Sequence, residues 1–199
     1  KKVFNFYKNI FENVMLVSSN KVAEMSKLYE NIFRNINIGL VNELKIICDR
    51  LDIDIREVIK AASTKQYGFM RFSPGPGIGG HCIPIDPFYL TWKAKEKDMH
   101  TRFIELAAEI NSAMPDWIIS KIMNILNKNS YTIKNSKFLI MGVAYKKNVA
   151  DTRETPAFKI IEKLSKNGAK VSYYDPHVTK IEIKNIIKKM KSINSKDFK

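Results

Sequence analysis

Cysteine, histidine, tryptophan, glycine and proline are all scarce in this chain of 199 residues. Two cysteines, Cys48 and Cys82, cannot build a disulfide framework. The three histidines, His81, His100 and His177, are scattered, and no Cys/His ligand spacing appears, so no metal site is expected. No apolar run reaches the length that crosses a bilayer, which argues against membrane insertion. The opening KKVFNFYKNIF is basic and apolar, but no small-residue cleavage site follows it, so it does not read as a signal peptide. Acidic side chains are also in deficit. Lys+Arg number 34 against 20 Asp+Glu, a formal charge of +14. That excess favours anionic partners: nucleic acid, a membrane surface or a phosphorylated small molecule. Much of it lies after Lys180, in IEIKNIIKKMKSINSKDFK, which reads as a solvated basic end. With 45% hydrophobic and 27% charged residues the composition is globular, enough for one domain or two smaller ones.

What is present falls into two patterns. The first is helical. Val22, Met25, Tyr29, Ile32, Phe33, Ile36, Leu40, Leu44 and Ile47 recur at three- and four-residue steps, which predicts a helix over 20–50. No proline interrupts it, Gly39 is its only glycine, and Ser18, Ser19 and Asn20 are good caps. Such a helix spans roughly 45 Å, the length of a spine between domains or subunits. Cys48 sits on its apolar pattern and reads as a small core residue. Asp54 and Glu57 form a capping-box pattern for a helix to about Ser63. Further helices are predicted over 87–97 and 101–112, with a fresh start at Pro115 and Asp116 running to about Leu126. The residues 3–18 are ambiguous, VMLV suiting a short strand or a helix end. After the polar linker NKNSYTIKNS the pattern changes. KFLIMGV at 137–143 is of strand length, 155–167 is an amphipathic helix with Pro156 in its first turn and Gly168 as its stop, and 170–174 is a second strand. Strand, helix, strand in this space predicts a parallel pair in a Rossmann-like sheet that the chain only begins.

The chemistry concentrates in Ser73 to Leu90, SPGPGIGGHCIPIDPFYL, which holds four of the eight glycines and four of the seven prolines. Such a stretch is neither a regular helix nor a central strand. Gly75, Gly77, Gly79 and Gly80 would let the main chain approach a ligand and aim amides at it. Cys82 could act as a nucleophile, with Asp86 four residues on to orient a proton, a water or an ammonium. The alternative is a structural loop with a buried, inert cysteine. On the long helix, Lys27 and Asn31 share a face one turn apart, an arrangement that suits an oxyanion or a hydroxyl. The loop AYKKNVADTRETP crosses from strand to helix at the strand's carboxyl end, where open α/β sheets bind ligands. Lys146, Lys147 and Arg153 give it positive charge.

The string GGHCIP…DPFYL resembles the catalytic cysteine loop of the nucleotide-sugar 6-dehydrogenases, the UDP-glucose and UDP-N-acetylhexosamine dehydrogenases. Ile85 stands where the UDP-glucose branch has lysine, so the likeness is greatest to enzymes acting on UDP-N-acetylglucosamine. The resemblance implies an NAD-dependent, four-electron oxidation of a primary alcohol to a carboxylate, through a thiohemiacetal and a thioester on Cys82, in the making of surface polysaccharide. It implies a catalytic set of Cys82, Lys27, Asn31 and Asp86, the last orienting Lys27 or a water. Lys27, Asn31, Ser73, Pro74, Gly75, Pro76, Gly77, Ile78, Gly79 and Lys146 would bind the UDP-sugar, and Cys82 and Arg153 would meet the NAD. His81 would pack or hydrogen-bond, and Asn42 and Glu43 would be structural. The family also lends an arginine between subunits, for which Lys65 and Arg71 are the candidates here. Ala150 departs from an acidic residue common in this branch.

The resemblance covers roughly Val14 to Val178, and no G-x-G-x-x-G fingerprint opens a strand-turn-helix. The expected architecture is a mainly α central dimerisation domain followed by an incomplete α/β Rossmann-like domain. Residues 1–19 would end an N-terminal domain or form a linker, 20–127 the helical domain with the cysteine loop, and 128–199 part of a nucleotide-sugar domain. A fragment lacking the NAD domain is expected to be inactive alone, cytoplasmic in its parent, and dimeric through the long helix. UDP-N-acetylmannosamine, UDP-N-acetylgalactosamine and UDP-glucose are the alternative substrates. From other classes, a basic nucleic-acid module and an inactive dimerisation scaffold are the rivals; no nucleic-acid motif supports the first.

Overall fold

The computed structural model describes residues 2–186 and 188–194. Six helices and four short strands follow one another: α1 (Lys2–Lys8), α2 (Asn20–Arg50), α3 (Ile55–Ala62), α4 (Asp86–Lys95), α5 (Arg102–Lys128), β1 (Lys137–Met141), α6 (Pro156–Lys166), β2 (Lys170–Tyr174), β3 (Lys180–Ile183), a 3-10 turn (Lys184–Ile186) and β4 (Lys188–Lys191).

The long helix has the bounds its periodicity predicts. Ser19 caps it, its Oγ accepting the Val22 N–H at 3.3 Å. Its inner face packs on α5, closest at Gly39, where an added Cβ would lie 3.2 Å from the Cα and Cβ of Ala107. At the far end the Lys121 ammonium meets Asp49 at 2.8 Å. Asp54 caps α3 by accepting the Arg56 N–H at 2.9 Å. Val41, Cys48, Ile55 and Ile59 close a small core where α2 turns into α3, so Cys48 is the packing residue its pattern predicts. The segment 11–19 is neither strand nor helix end, and α1 buries none of its side chains among the described residues.

One boundary is corrected. The predicted restart at Pro115 does not occur, and α5 runs unbroken through it. Proline costs a helix the bond to the carbonyl four residues earlier, here that of Asn111. Buried packing of Met114, Pro115 and Ile119 holds the two halves in line. The freed Asn111 carbonyl faces Gly77, where an added Cβ would lie 2.9 Å away.

β1 and β2 pair in parallel, Lys137 opposite Lys170 through Met141 opposite Tyr174, with α6 as the crossover. This is the predicted strand-helix-strand unit. Thr155 and Pro156 start α6 and Gly168, at φ +80°, ends it. The basic end is corrected as well. Residues 180–191 form an antiparallel hairpin, and Ile181 and Ile183 enter the core with Val143, Ile161, Leu164 and Tyr173. KIEI alternates, so its lysine and glutamate face outward while the isoleucines are buried. Residues 195–199 of that end lie outside the described residues. Ile119, on the second half of α5, belongs to this core too, so one helix serves both parts of the chain.

Asp175 ties the end of β1 to the turn after β2. Its Oδ2 accepts the N–H groups of Val143 and Ala144, and its Oδ1 those of His177 and Val178. Burial pushes this carboxyl up, but the four backbone donors outweigh it and hold it below the usual carboxylate range. A depressed folded value means that its stabilisation is present above the unfolded pKa, about 3.9, and is lost as pH falls through the folded value. Asn offers one acceptor where two are used. Asp175→Asn is therefore expected to lose about 2–4 kcal/mol at neutral pH. The gap from wild type should narrow in acid, read by urea unfolding across pH; parallel curves would contradict this.

Candidate active site

Three asparagines lie on one face of α2: Asn31, Asn35 and Asn42, at intervals of four and seven residues. All are buried. Asparagine is a poor helix former, and burying an unpaired amide is costly, so each needs partners. They find them in the proline- and glycine-rich loop. Asn31 donates to Asp86 Oδ2 at 2.8 Å, and Asn35 donates to the Ile83 carbonyl at 3.1 Å. Asn42 Oδ1 accepts the Gly75 N–H at 2.9 Å. Asn111 of α5 closes the network: its Oδ1 accepts from Asn42 at 2.9 Å, and its Nδ2 donates to the carbonyl and side chain of Asn35 at 3.1 and 3.2 Å. The loop thus hangs from the helix at three points, residues 75, 83 and 86.

Between those points stands Cys82, whose side chain is exposed. Its carbonyl accepts from the amides of Ile85 and Asp86, at 3.2 and 2.8 Å, and so forms the turn that opens α4. Asn31 is therefore bonded to the residue whose N–H closes the turn on the Cys82 carbonyl. The Lys27 ammonium lies apart from that pair, exposed and on Glu30 at 2.9 Å. That contact holds the Glu30 carboxyl below its usual range.

The loop's other edge rests on the segment after β1. The Gly80 N–H donates to the Arg153 carbonyl at 2.9 Å. Arg153 makes a forked bond to Asp151, Nε to Oδ1 and Oδ2 at 3.1 and 2.9 Å and Nη2 to Oδ2 at 2.6 Å. That bond holds the guanidinium further above its ordinary value, and Tyr145 and Cys82 add to the effect through their charge. Asp151 is held down, first by the Arg153 side chain and least by His81. So His81, Cys82, Tyr145, Asp151 and Arg153 share one electrostatic neighbourhood.

Beside a cleft of about 460 Å³ against Gly77, Ile78, Pro84 and Ile85, two others lie near the loop. One of about 680 Å³ is lined by Ser73, Pro74 and Gly75 with Lys45, Arg71 and Trp117. The other, about 410 Å³, lies at the carboxyl ends of β1 and β2, lined by Tyr145, Lys146, Lys147, Asp175 and His177. A metal site finds no cluster of three His, Cys, Asp or Glu among the described residues.

Of the residues singled out from the sequence, Asn31 is bonded to Asp86, whose N–H meets the Cys82 carbonyl, and the Arg153 carbonyl holds Gly80; Lys27 is paired with Glu30, and Lys146 lines the cleft at the strand ends. Gly75 and Gly77 line clefts, whereas Gly79 and Gly80 face protein. An added Cβ at Gly79 would lie 2.8 Å from Tyr145 Cβ, and one at Gly80 would lie 2.8 Å from Tyr145 Cε2. The close approach these residues permit is to protein, and the Gly75 and Gly80 amides are bonded to Asn42 and Arg153. Asn35, Asn111, Tyr145 and Asp151 were not singled out. The repeated asparagines on an otherwise apolar helix were the available signal. Asn42→Ala leaves the Gly75 N–H and Asn111 Oδ1 without partners. It is expected to lower stability by about 2–3 kcal/mol, seen as a lower urea midpoint at unchanged slope. An unchanged midpoint would contradict the network.

The comparisons with known proteins agree with this geometry. Residues 21–113 match the UDP-glucose/GDP-mannose dehydrogenase family, central domain, and residues 139–198 match its UDP binding domain. A UDP-N-acetyl-D-mannosamine dehydrogenase of Methanococcus maripaludis is 42% identical over 171 residues, 86% of this chain and 38% of that protein. A UDP-N-acetyl-D-glucosamine 6-dehydrogenase of Pseudomonas aeruginosa is 40% identical over 162 residues, 81% of this chain and 38% of that protein. The solved structure of a UDP-D-ManNAc dehydrogenase from Pyrococcus horikoshii superposes with a TM-score of 0.80 at 31% identity, covering 89% of this chain and 43% of the other. The chain thus spans about two fifths of the length of these relatives. With the central-domain match containing the exposed cysteine loop and the UDP-binding-domain match following it, the chain belongs to the UDP-glucose/GDP-mannose dehydrogenase family.

Proposed function

We propose that this chain is the central and sugar-nucleotide-binding portion of an NAD-dependent UDP-N-acetylhexosamine 6-dehydrogenase. The observation that carries the reading is Cys82, an exposed cysteine on a loop fixed by buried amides, four residues before the Asp86 that Asn31 holds.

The chain's residues supply the thiol half of the chemistry. An aldehyde carbon at C6 is attacked by the Cys82 thiolate, and the carbonyl oxygen becomes an oxyanion. Asn31 and, once it leaves Glu30, Lys27 are the groups that would hold that oxygen. After loss of hydride the thioester is hydrolysed by water, which returns the thiol and leaves a carboxylate. Asp86 holds Asn31 in the structure, and its second oxygen is the group that would orient the water. The two hydrides require an acceptor, NAD by resemblance. This chain does not build a dinucleotide site: no G-x-G-x-x-G opens a strand-turn-helix, and the Arg153 guanidinium is engaged by Asp151. Arg153 is at most one contact to it.

The UDP portion fits the basic surroundings. Lys146 and Lys147 line the cleft at the strand ends, and Arg71 and Lys45 line the one beside Ser73. The sugar is an N-acetylhexosamine, and the names of the relatives divide between the manno and gluco epimers. Residues 22, 25, 29, 33, 40 and 47 form an exposed apolar stripe on α2, about 150° round the helix from the asparagines. That stripe supports a homodimer through α2, in a cytoplasmic enzyme of surface polysaccharide synthesis. The inactive-scaffold alternative rested on a buried Cys82, and the thiol is exposed.

The test is NADH production by the full-length protein carrying this segment, given UDP-N-acetylglucosamine, UDP-N-acetylmannosamine and UDP-glucose in turn. An N-acetyl sugar is expected to turn over, and Cys82→Ala to lower kcat by more than about a thousandfold. Turnover of UDP-glucose alone would overturn the substrate class. Full activity of Cys82→Ala would overturn the mechanism.

A further inference from the structure

We infer that Tyr145 is a positioning residue for Cys82, and that the Gly79–Gly80 pair is there to receive its ring. The glycines before a reactive cysteine invite a different reading, in which bare backbone meets a ligand. Their surroundings are of another kind. An added Cβ at Gly80 would lie 2.8 and 3.0 Å from Tyr145 Cε2 and Cδ2. At Gly79 it would lie 2.8 Å from Tyr145 Cβ, 3.0 Å from the Glu154 carbonyl and 3.2 Å from Pro156 Cδ. The Tyr145 side chain therefore lies along two consecutive residues, its Cβ on Gly79 and its ring on Gly80, whose next neighbours are His81 and Cys82.

A backbone bond fixes the same spot. The Gly80 N–H donates to the Arg153 carbonyl at 2.9 Å. Tyr145 is itself held, its N–H donating to the Asp151 carbonyl at 2.9 Å. The segment from Tyr145 to Glu154 is thus closed on itself and presents one aromatic face to the loop. Gly80 has φ +91°, so the chain bends there in a way that side-chain-bearing residues resist, and the ring fills the space the bend leaves.

This arrangement differs from the asparagine network. Asn35 and Asn31 hold the loop after the thiol, at residues 83 and 86, and Asn42 holds it seven residues before. Among the described residues, the contacts at 79 and 80 come from the segment that precedes α6. The thiol is suspended between two supports, one on α2 and one on the β1–α6 crossing. Lys146 follows Tyr145 directly, so whatever ligand engages that ammonium acts on the backbone that carries the ring. The inference takes its meaning from the reading of Cys82 as nucleophile, but its test needs no turnover, so the two can fail separately.

Cys82 is exposed and Cys48 buried, so alkylation of the 199-residue chain reads Cys82, while labelling of Cys48 reads loss of fold. Arg153, bonded through its carbonyl to Gly80 and through its guanidinium to Asp151, is the cation on this side of the loop, so a loop that moves away from it reacts less well with an anionic reagent. The ratio of iodoacetate to iodoacetamide rates cancels general exposure. Tyr145→Ala is expected to lower that ratio about threefold. It should also speed amide exchange at Gly80 about tenfold, with Gly75 exchange and Cys48 protection unchanged. Tyr145→Phe should restore both. If Tyr145→Ala does not fold, Tyr145→Leu gives the same readout. Wild-type exchange and ratio in the folded variant would overturn the inference. So would loosening of Gly75 and Gly80 together with exposure of Cys48, which would make Tyr145 an ordinary stabilising residue.

Discussion

A loop rich in proline and glycine has few backbone bonds of its own to hold it, and in this protein the amides of a neighbouring helix take their place. Asn31, Asn35 and Asn42 reach from α2 to Asp86, Ile83 and Gly75, and Asn111 ties two of them together from α5. Each bond contributes about 1 kcal/mol net, but a buried amide left without its partner costs more than the bond supplies. That asymmetry makes the network cooperative: removing one member leaves others unsatisfied. The order of the Cys82 loop follows from it, and the placement of an exposed cysteine follows from that order.

The same helix has a second face. Its exposed apolar stripe lies opposite the asparagines, so 31 residues carry both the loop support and a surface suited to another helix. Between the two faces α2 meets α5, with Gly39 allowing the backbones to close on Ala107. The α5 helix then continues through Pro115 into the core of the α/β part. Loop, helix pair and parallel strands are joined through packing on α5 rather than through a flexible linker. The crossing from β1 to α6 meets the loop from the far side, at Gly79 and Gly80.

Much of this was legible in the sequence where local rules act alone. The bounds of α2 follow from an uninterrupted apolar period and a serine cap, and β2 and α6 from strand length, Pro156 and Gly168. Cys82, Asn31 and Asp86 were legible through a long motif. Three things were not. Pro115 signals a helix start by local rule, and only burial of Met114 and Ile119 on either side keeps α5 continuous. The Lys-rich end hides an alternation in KIEI, because charge on the outer face obscures the isoleucines on the inner one. At Gly79 and Gly80 the space a side chain would take is filled by Tyr145 and, at Gly79, Pro156, which no local pattern announces. Sequence shows that space is needed, and only structure shows what occupies it.

The account stands on the claim that side-chain amides give the cysteine loop the stability of the helix pair. Native-state hydrogen exchange at the Gly75 N–H, whose acceptor is Asn42 Oδ1, tests it most directly. The account predicts that this amide exchanges only through global unfolding, with the same free energy as the core amides of α2. Exchange at Gly75 as fast as in an open surface loop, with α2 still protected, would contradict it.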